Sequence, residues 1–216
     1  MAPRRKEKRS ERSKLDATPP WEVRVRPDVA ETTGPFDVRD APDDDVQRLD
    51  LGALRVPIAP GVDVRLETDE QQHVIGVTLA GPDGHMQVGV FAAPRNEGIW
   101  DEVRAEIAAS VDAQKGGARE RADGPFGPEL HGTLPSEGSR VPVRFLGVDG
   151  PRWFLRAMLV GNVAKEPVKA KRFEDAFRNV VVVRGNDPLP VREPVPLQLP
   201  KEVQAASEEA EAADPD

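Results

Sequence analysis

The chain has 216 residues, with 30 Lys plus Arg against 38 Asp plus Glu, 22 Pro, 18 Gly, no Cys and no Tyr. That length suits one domain with tails, and the lack of thiols excludes disulfides, cysteine zinc sites, iron–sulfur clusters and a cysteine nucleophile. No stretch approaches the roughly 18 apolar residues of a membrane-spanning helix, and the basic start MAPRRKEKRSERSK leads into no apolar run of the signal-peptide kind. The expectation is a cytoplasmic protein with no membrane partner.

The net charge of −8 is unevenly spread. Residues 1–14 hold seven basic and two acidic side chains, whereas residues 201–216 hold one basic and six acidic. Segments so charged and so poor in apolar residues cannot bury enough surface to offset the entropy of ordering. Three regions follow: a mostly disordered leader over 1–47, basic then acidic; a folded domain over 48–186; and a tail over 187–216, Pro-rich and extended before it turns acidic. Within the leader, the alternation Trp21, Val23, Val25 could add a short strand to a sheet edge.

In the domain, the extended piece LGALRVPI precedes GVDVRLET, whose alternating Val62, Val64 and Leu66 mark a half-buried strand. HVIGVTLA and HMQVGVFAA flank the turn GPDG and form a hairpin. Pairing residue 80 with 85 sets Leu79 against Met86, Val77 against Val88 and Ile75 against Val90. On the opposite face Gly76 meets Gly89 and leaves room for close packing. Next comes a helix with Trp100, Val103, Ile107 and Val111 on one side, capped by Asn96 or Gly98 and stopped at Gly116-Gly117.

Strand-like pieces follow at 119–122 and 129–134. VPVRFLG and RWFLRAMLV make a second hairpin, with the turn at Val148 to Pro151 and Gly147 paired with Arg152. Both its faces are apolar near the turn, so it should be central and covered on both sides. A second helix starts at Pro167 and carries Phe173, Ala176 and Phe177, and Val180 to Val183 form a last strand. This order predicts an α+β domain built on a single antiparallel sheet with two main helices.

The three histidines, His73, His85 and His131, show no HxxxH or HxH spacing, so neither a metal site nor a cofactor is expected. No G-x-S-x-G, GxxxxGK[ST] or GxGxxG occurs, and no carboxylate stands in an apolar strand, where a general acid would be sought. A non-enzyme is expected. The polar group that stands out is Arg144, Arg152 and Arg156, set in the apolar central hairpin beside Trp153. A guanidinium there must pair with an acid or stack on an aromatic. Either these arginines bridge to helix acids, or they bind an anion with Trp153 as a platform. The basic start could attract nucleic acid by counterion release, although it lacks the aromatics that stack on bases.

The words DLGALRVPI, VTLAGPDGHMQVGVFAAPRNEGIWDEVRAEI, GVDGPRWFLRAMLVGNVA and FRNVVVVRG, in that order, closely resemble an actinobacterial domain-of-unknown-function family, one typically encoded near a dUTPase. The resemblance covers about residues 20–200 and implies an intracellular protein without assigned catalytic residues. The element order also looks like the Mog1/PsbP-type α/β/α sandwich, an analogy of fold alone. Two functions are expected from the whole: a non-catalytic module that binds a protein partner through its sheet or arms, or an accessory factor in nucleotide or nucleic-acid metabolism that holds an anionic ligand through the hairpin arginines.

Overall fold

The computed structural model describes residues 33–69 and 73–200. The basic run at 1–14, the Trp21–Val25 alternation and the acidic end at 201–216 lie outside the described residues. In chain order the strands are β1 (Phe36–Asp37), β2 (Arg48–Asp50), β3 (Leu54–Pro57), β4 (Asp63–Thr68), β5 (Val74–Gly81) and β6 (Gly84–Ala92). Helix α1 (Trp100–Ala113) precedes β7 (Arg119–Gly124), β8 (Gly127–Ser136), β9 (Ser139–Gly150) and β10 (Trp153–Gly161). A 3-10 turn, α2 (Pro167–Arg178) and β11 (Val181–Val182) complete the order.

Seven of these strands form an antiparallel sheet in the order β4-β5-β6-β10-β9-β8-β7. The expectation of a single sheet needs correction. β1, β11, β3 and β2 make a second, four-stranded sheet, and β1 runs parallel to β11. The reason lies in two-sided burial: the hairpin strands β9 and β10 are apolar on both faces, and α2 alone is too narrow to cover the inner one. Leu54 and Val56 of β3 and Val182 of β11 therefore join Ala170, Phe173 and Phe177 of α2 against Val77, Leu79, Val88, Leu155, Ala157 and Leu159. Burial of this kind stabilises by about 1.5–3 kcal/mol for each large side chain.

The first hairpin has the expected register, with Val77 opposite Val88, Leu79 opposite Met86 and Ala80 opposite His85. Ile75 departs from the apolar face and is exposed, because a bulge between Glu67 and Thr68 shifts the β4–β5 register beside it. The second hairpin is central as expected, yet its register is four positions from the expected one. Trp153 pairs with Gly150, Arg156 with Gly147 and Met158 with Phe145. The turn is therefore Pro151-Arg152, with Arg152 at φ 65°, instead of a loop built on Asp149-Gly150. Asp149 is employed elsewhere, and Gly150 is needed in the strand, since a Cβ there would fall inside the indole of Trp153.

Asp149 caps α1. Its carboxylate accepts from the backbone N–H of Ile99 at 2.8 Å and of Trp100 at 3.2 Å, so the cap comes from β9, not from Asn96 or Gly98. Such a carboxylate satisfies orphan donors and complements the helix dipole. α2 begins with Pro167 in its first turn. The chain beyond β11 lies along the sheets: the N–H of Val195 donates to Val90 O and that of Leu197 to Val74 O. Val195 and Leu197 are buried, and Arg192 ion-pairs with Glu102 and Glu106 of α1.

A buried polar contact joins the two sheets. Trp153 Nε1 donates to Asp37 Oδ2 at 2.9 Å, with both residues buried. Replacing Asp37 by Ala leaves the indole N–H without an acceptor, a loss of about 1–3 kcal/mol. Urea unfolding should show a lower midpoint for D37A with an unchanged slope, whereas an unchanged midpoint would mean that water reaches Trp153.

Candidate functional site

The outer face of the seven-stranded sheet is covered unevenly. α1 sits over β8 and β9, where Ile99, Trp100 and Val111 pack with Leu130, Val143, Phe145 and Phe154. Gly147 makes the close approach possible, since a Cβ there would fall inside the Trp100 ring. The β4–β6 side of the same face lies beyond the helix. The step between the helix and those strands is a cleft of about 430 Å³, lined among others by Glu67, Gly76, Gly89, Phe91, Ile107 and Arg156. That volume lies within the range of small-molecule sites, roughly 300–1,000 Å³.

Cross-strand pairing sets the polar groups of the cleft in one row. Glu67 is opposite Gly76, and Arg156 lies between Gly89 and Gly147. Gly76 and Gly89 each lie just beyond the last β5–β6 pair, Val77 with Val88, and both line the cleft. Two glycines thus separate a carboxylate from a guanidinium, and the close-packing space expected at that pair is the floor of the cleft.

Arg156 stacks on Phe91, with its guanidinium carbon 4.9 Å from the ring centroid. Burial pushes its pKa below the ordinary arginine value, which is the desolvation cost of the charged form. No ion pair joins it to any carboxylate among the described residues. Glu67 accepts a hydrogen bond from Thr78 Oγ1 through Oε1. Its Oε2 lies 3.2 Å from where a Cβ of Gly76 would be, so the carboxylate reaches over β5.

The other residues singled out in the sequence lie apart from this cleft. Arg144 is buried on the inner face. It donates to Glu129 Oε2 from Nε at 2.9 Å and Nη2 at 2.7 Å, and to Glu174 Oε1 of α2 from Nη1 at 2.6 Å. This is the bridge to a helix acid that the hairpin arginines suggested. Trp153 is buried in the inner core against Asp37, and Arg152 sits on the turn, its Nη2 3.3 Å from Asn186 O. The four do not form one platform, because Arg144 and Arg156 point to opposite faces of the sheet.

Two acidic groups escaped the sequence reading. Glu129 is buried in β8, contrary to the expectation that no carboxylate stands in an apolar strand. Its stretch is one of the two strand-like pieces, and β7 pairs outside it. The alternation Glu129, Leu130, His131 does hold a signal, since the histidine shares a face with the acid, and Glu129 Oε1 meets His131 Nε2 at 2.7 Å. Burial alone would raise the Glu129 pKa, but hydrogen bonds from His131 and Arg144 outweigh it and hold the group below 4.5. The second group, Glu67, reads as one member of a charged alternation and gains meaning only from the glycines beside it.

A family model described as "Protein of unknown function (DUF3710)" matches residues 34–206. The chain belongs to this family. The DUF3710 match spans both sheets and both helices, including the Arg156 cleft. No curated protein matches the chain. Among solved structures, LpqN of Mycobacterium tuberculosis, described as involved in cell envelope biogenesis, is 14% identical. The alignment covers 69% of this chain and 99% of LpqN, with a TM-score of 0.34. No helix among the described residues is long and apolar enough to cross a membrane.

The Glu129 network gives a pH prediction. A carboxylate whose folded pKa is lowered stabilises the fold above its unfolded value, and that contribution is lost as pH falls through the folded pKa. Glu129→Gln should cost about 1–3 kcal/mol near neutrality, since Arg144 loses one of its two carboxylates and keeps Glu174. Denaturant midpoints followed from pH 7 to pH 3 should fall more steeply for the native chain than for E129Q, whereas parallel curves would exclude Glu129 as a contributor.

Proposed function

We propose that this DUF3710 domain is a non-catalytic module that binds a small organic anion with an apolar body in the outer cleft, with Arg156 as the anion anchor. The observation that supports this reading is the Arg156 guanidinium, half-buried on an apolar floor and stacked on Phe91, with no acid paired to it among the described residues. A charge held out of water is costly unless it is paired. A ligand carboxylate or sulfonate would form the bidentate, charge-assisted contact that guanidinium geometry favours. Ile107, Phe145 and Met158 would cover the apolar body.

The same features favour a small ligand over a protein partner, because the cleft is a bounded concavity beside α1 and not a flat face. They also favour a singly charged group over a nucleotide. A di- or triphosphate calls for several cations, and Arg144 is already engaged by Glu129 and Glu174. The link to nucleotide metabolism implied by a dUTPase neighbourhood is therefore the weaker reading.

The anion 8-anilinonaphthalene-1-sulfonate tests the proposal directly. One molecule per chain should bind with enhanced fluorescence, and Arg156→Ala should weaken binding about tenfold, the scale of one charge-assisted contact. Arg156→Lys should fall between the two, since it keeps the charge and loses the fork. Equal affinity in all three proteins, each with native cooperative unfolding, would exclude Arg156 as the anchor.

A further inference from the structure

We propose that the cleft is bipolar, with Glu67 as a second pole that selects ligands carrying an ammonium or other donor at the end remote from their anionic group. This rests on the reading of Arg156 as the anion anchor and adds the chemistry of the other end. The argument is one of placement. Glu67, Gly76, Gly89 and Arg156 follow one another across four adjacent strands. Both charged side chains line the same cleft, where the two intervening strand residues are glycines and the Phe91 ring lies beside Gly89. A Cβ at Gly89 would be only 3.2 Å from the Phe91 ring, so even alanine would crowd the floor.

Strand spacing sets the backbone separation. The Glu67 carboxylate reaches over Gly76 of β5, and the Arg156 backbone lies on β10, two strand intervals further on, about 10 Å, with its guanidinium leaning over Phe91. Neither group is ion-paired among the described residues. Thr78 occupies Glu67 Oε1 and holds the carboxylate in place, leaving Oε2 directed along the floor. A ligand with opposite charges at its two ends and an apolar middle satisfies both poles at once. One with anions at both ends meets repulsion at Glu67.

Three eight-carbon probes that differ only at the far end test this: octanoate, 8-aminooctanoate and octanedioate, titrated calorimetrically into the full chain at pH 7. The native protein should bind 8-aminooctanoate about tenfold more tightly than octanoate, a single charge-assisted contact, and octanedioate most weakly. Glu67→Gln keeps the shape and the Thr78 contact, and should bring the three affinities together. Arg156→Ala should weaken all three.

If Arg156→Ala weakens all three probes but the native protein ranks them equally, the bipolar inference fails while the Arg156 reading stands. If Arg156→Ala changes nothing, both fail. Absence of binding by all three probes also overturns the bipolar inference, and leaves the Arg156 reading to the sulfonate titration. Gly89→Val, which fills the floor, should abolish the preference for 8-aminooctanoate; a variant that keeps it would show that the probes bind elsewhere.

Discussion

The structure depends on the two-sided burial of the β9–β10 hairpin. Strand β10 lies between β6 and β9, with Leu155, Ala157 and Leu159 fully buried on one face and Phe154 buried on the other. A strand wet on one side would need one covering layer, but this hairpin needs two. The second sheet and α2 supply the inner cover, and α1 the outer. Two glycines tune the fit: Gly147 admits the Trp100 ring from outside, and Gly150 admits Trp153 from inside. The minor elements follow from this demand, including two-residue strands that would have no stability by themselves.

The period-two alternation of side chains also decides which arginine has which role. Arg144 shares the inner face with Leu146, meets α2 and Glu129, and is consumed by the architecture. Arg156 shares the outer face with Phe154 and Met158, beyond the reach of the α1 acids. A buried ion pair such as Arg144–Glu129 adds little net stability, yet it is costly to break. Its place at the junction of sheet and α2 suits the fixing of one arrangement of those layers.

Much of this was legible in the sequence. Alternation and the GPDG turn were enough for the β5–β6 register, because both signals are local, and the helices were marked by the period of Trp100, Val103, Ile107 and Val111 and by Pro167. The β9–β10 register was not legible. Asp149-Gly150 has the composition of a turn, but tertiary demands on both residues move the turn to Pro151-Arg152. The cap on α1 was hidden for the same reason, since its donor and acceptor are 50 residues apart. Of the cleft, Arg156 and the Gly76–Gly89 space were visible separately. Their meeting in one row with Glu67 follows from pairing between strands that are distant in sequence.

The remote cap has an electrostatic corollary. The first turn of a helix carries about half a positive elementary charge, and the start of α1 would ordinarily add to the field over the neighbouring sheet. Asp149 places a full negative charge on those amides, so the positive potential of that helix end is cancelled where it arises.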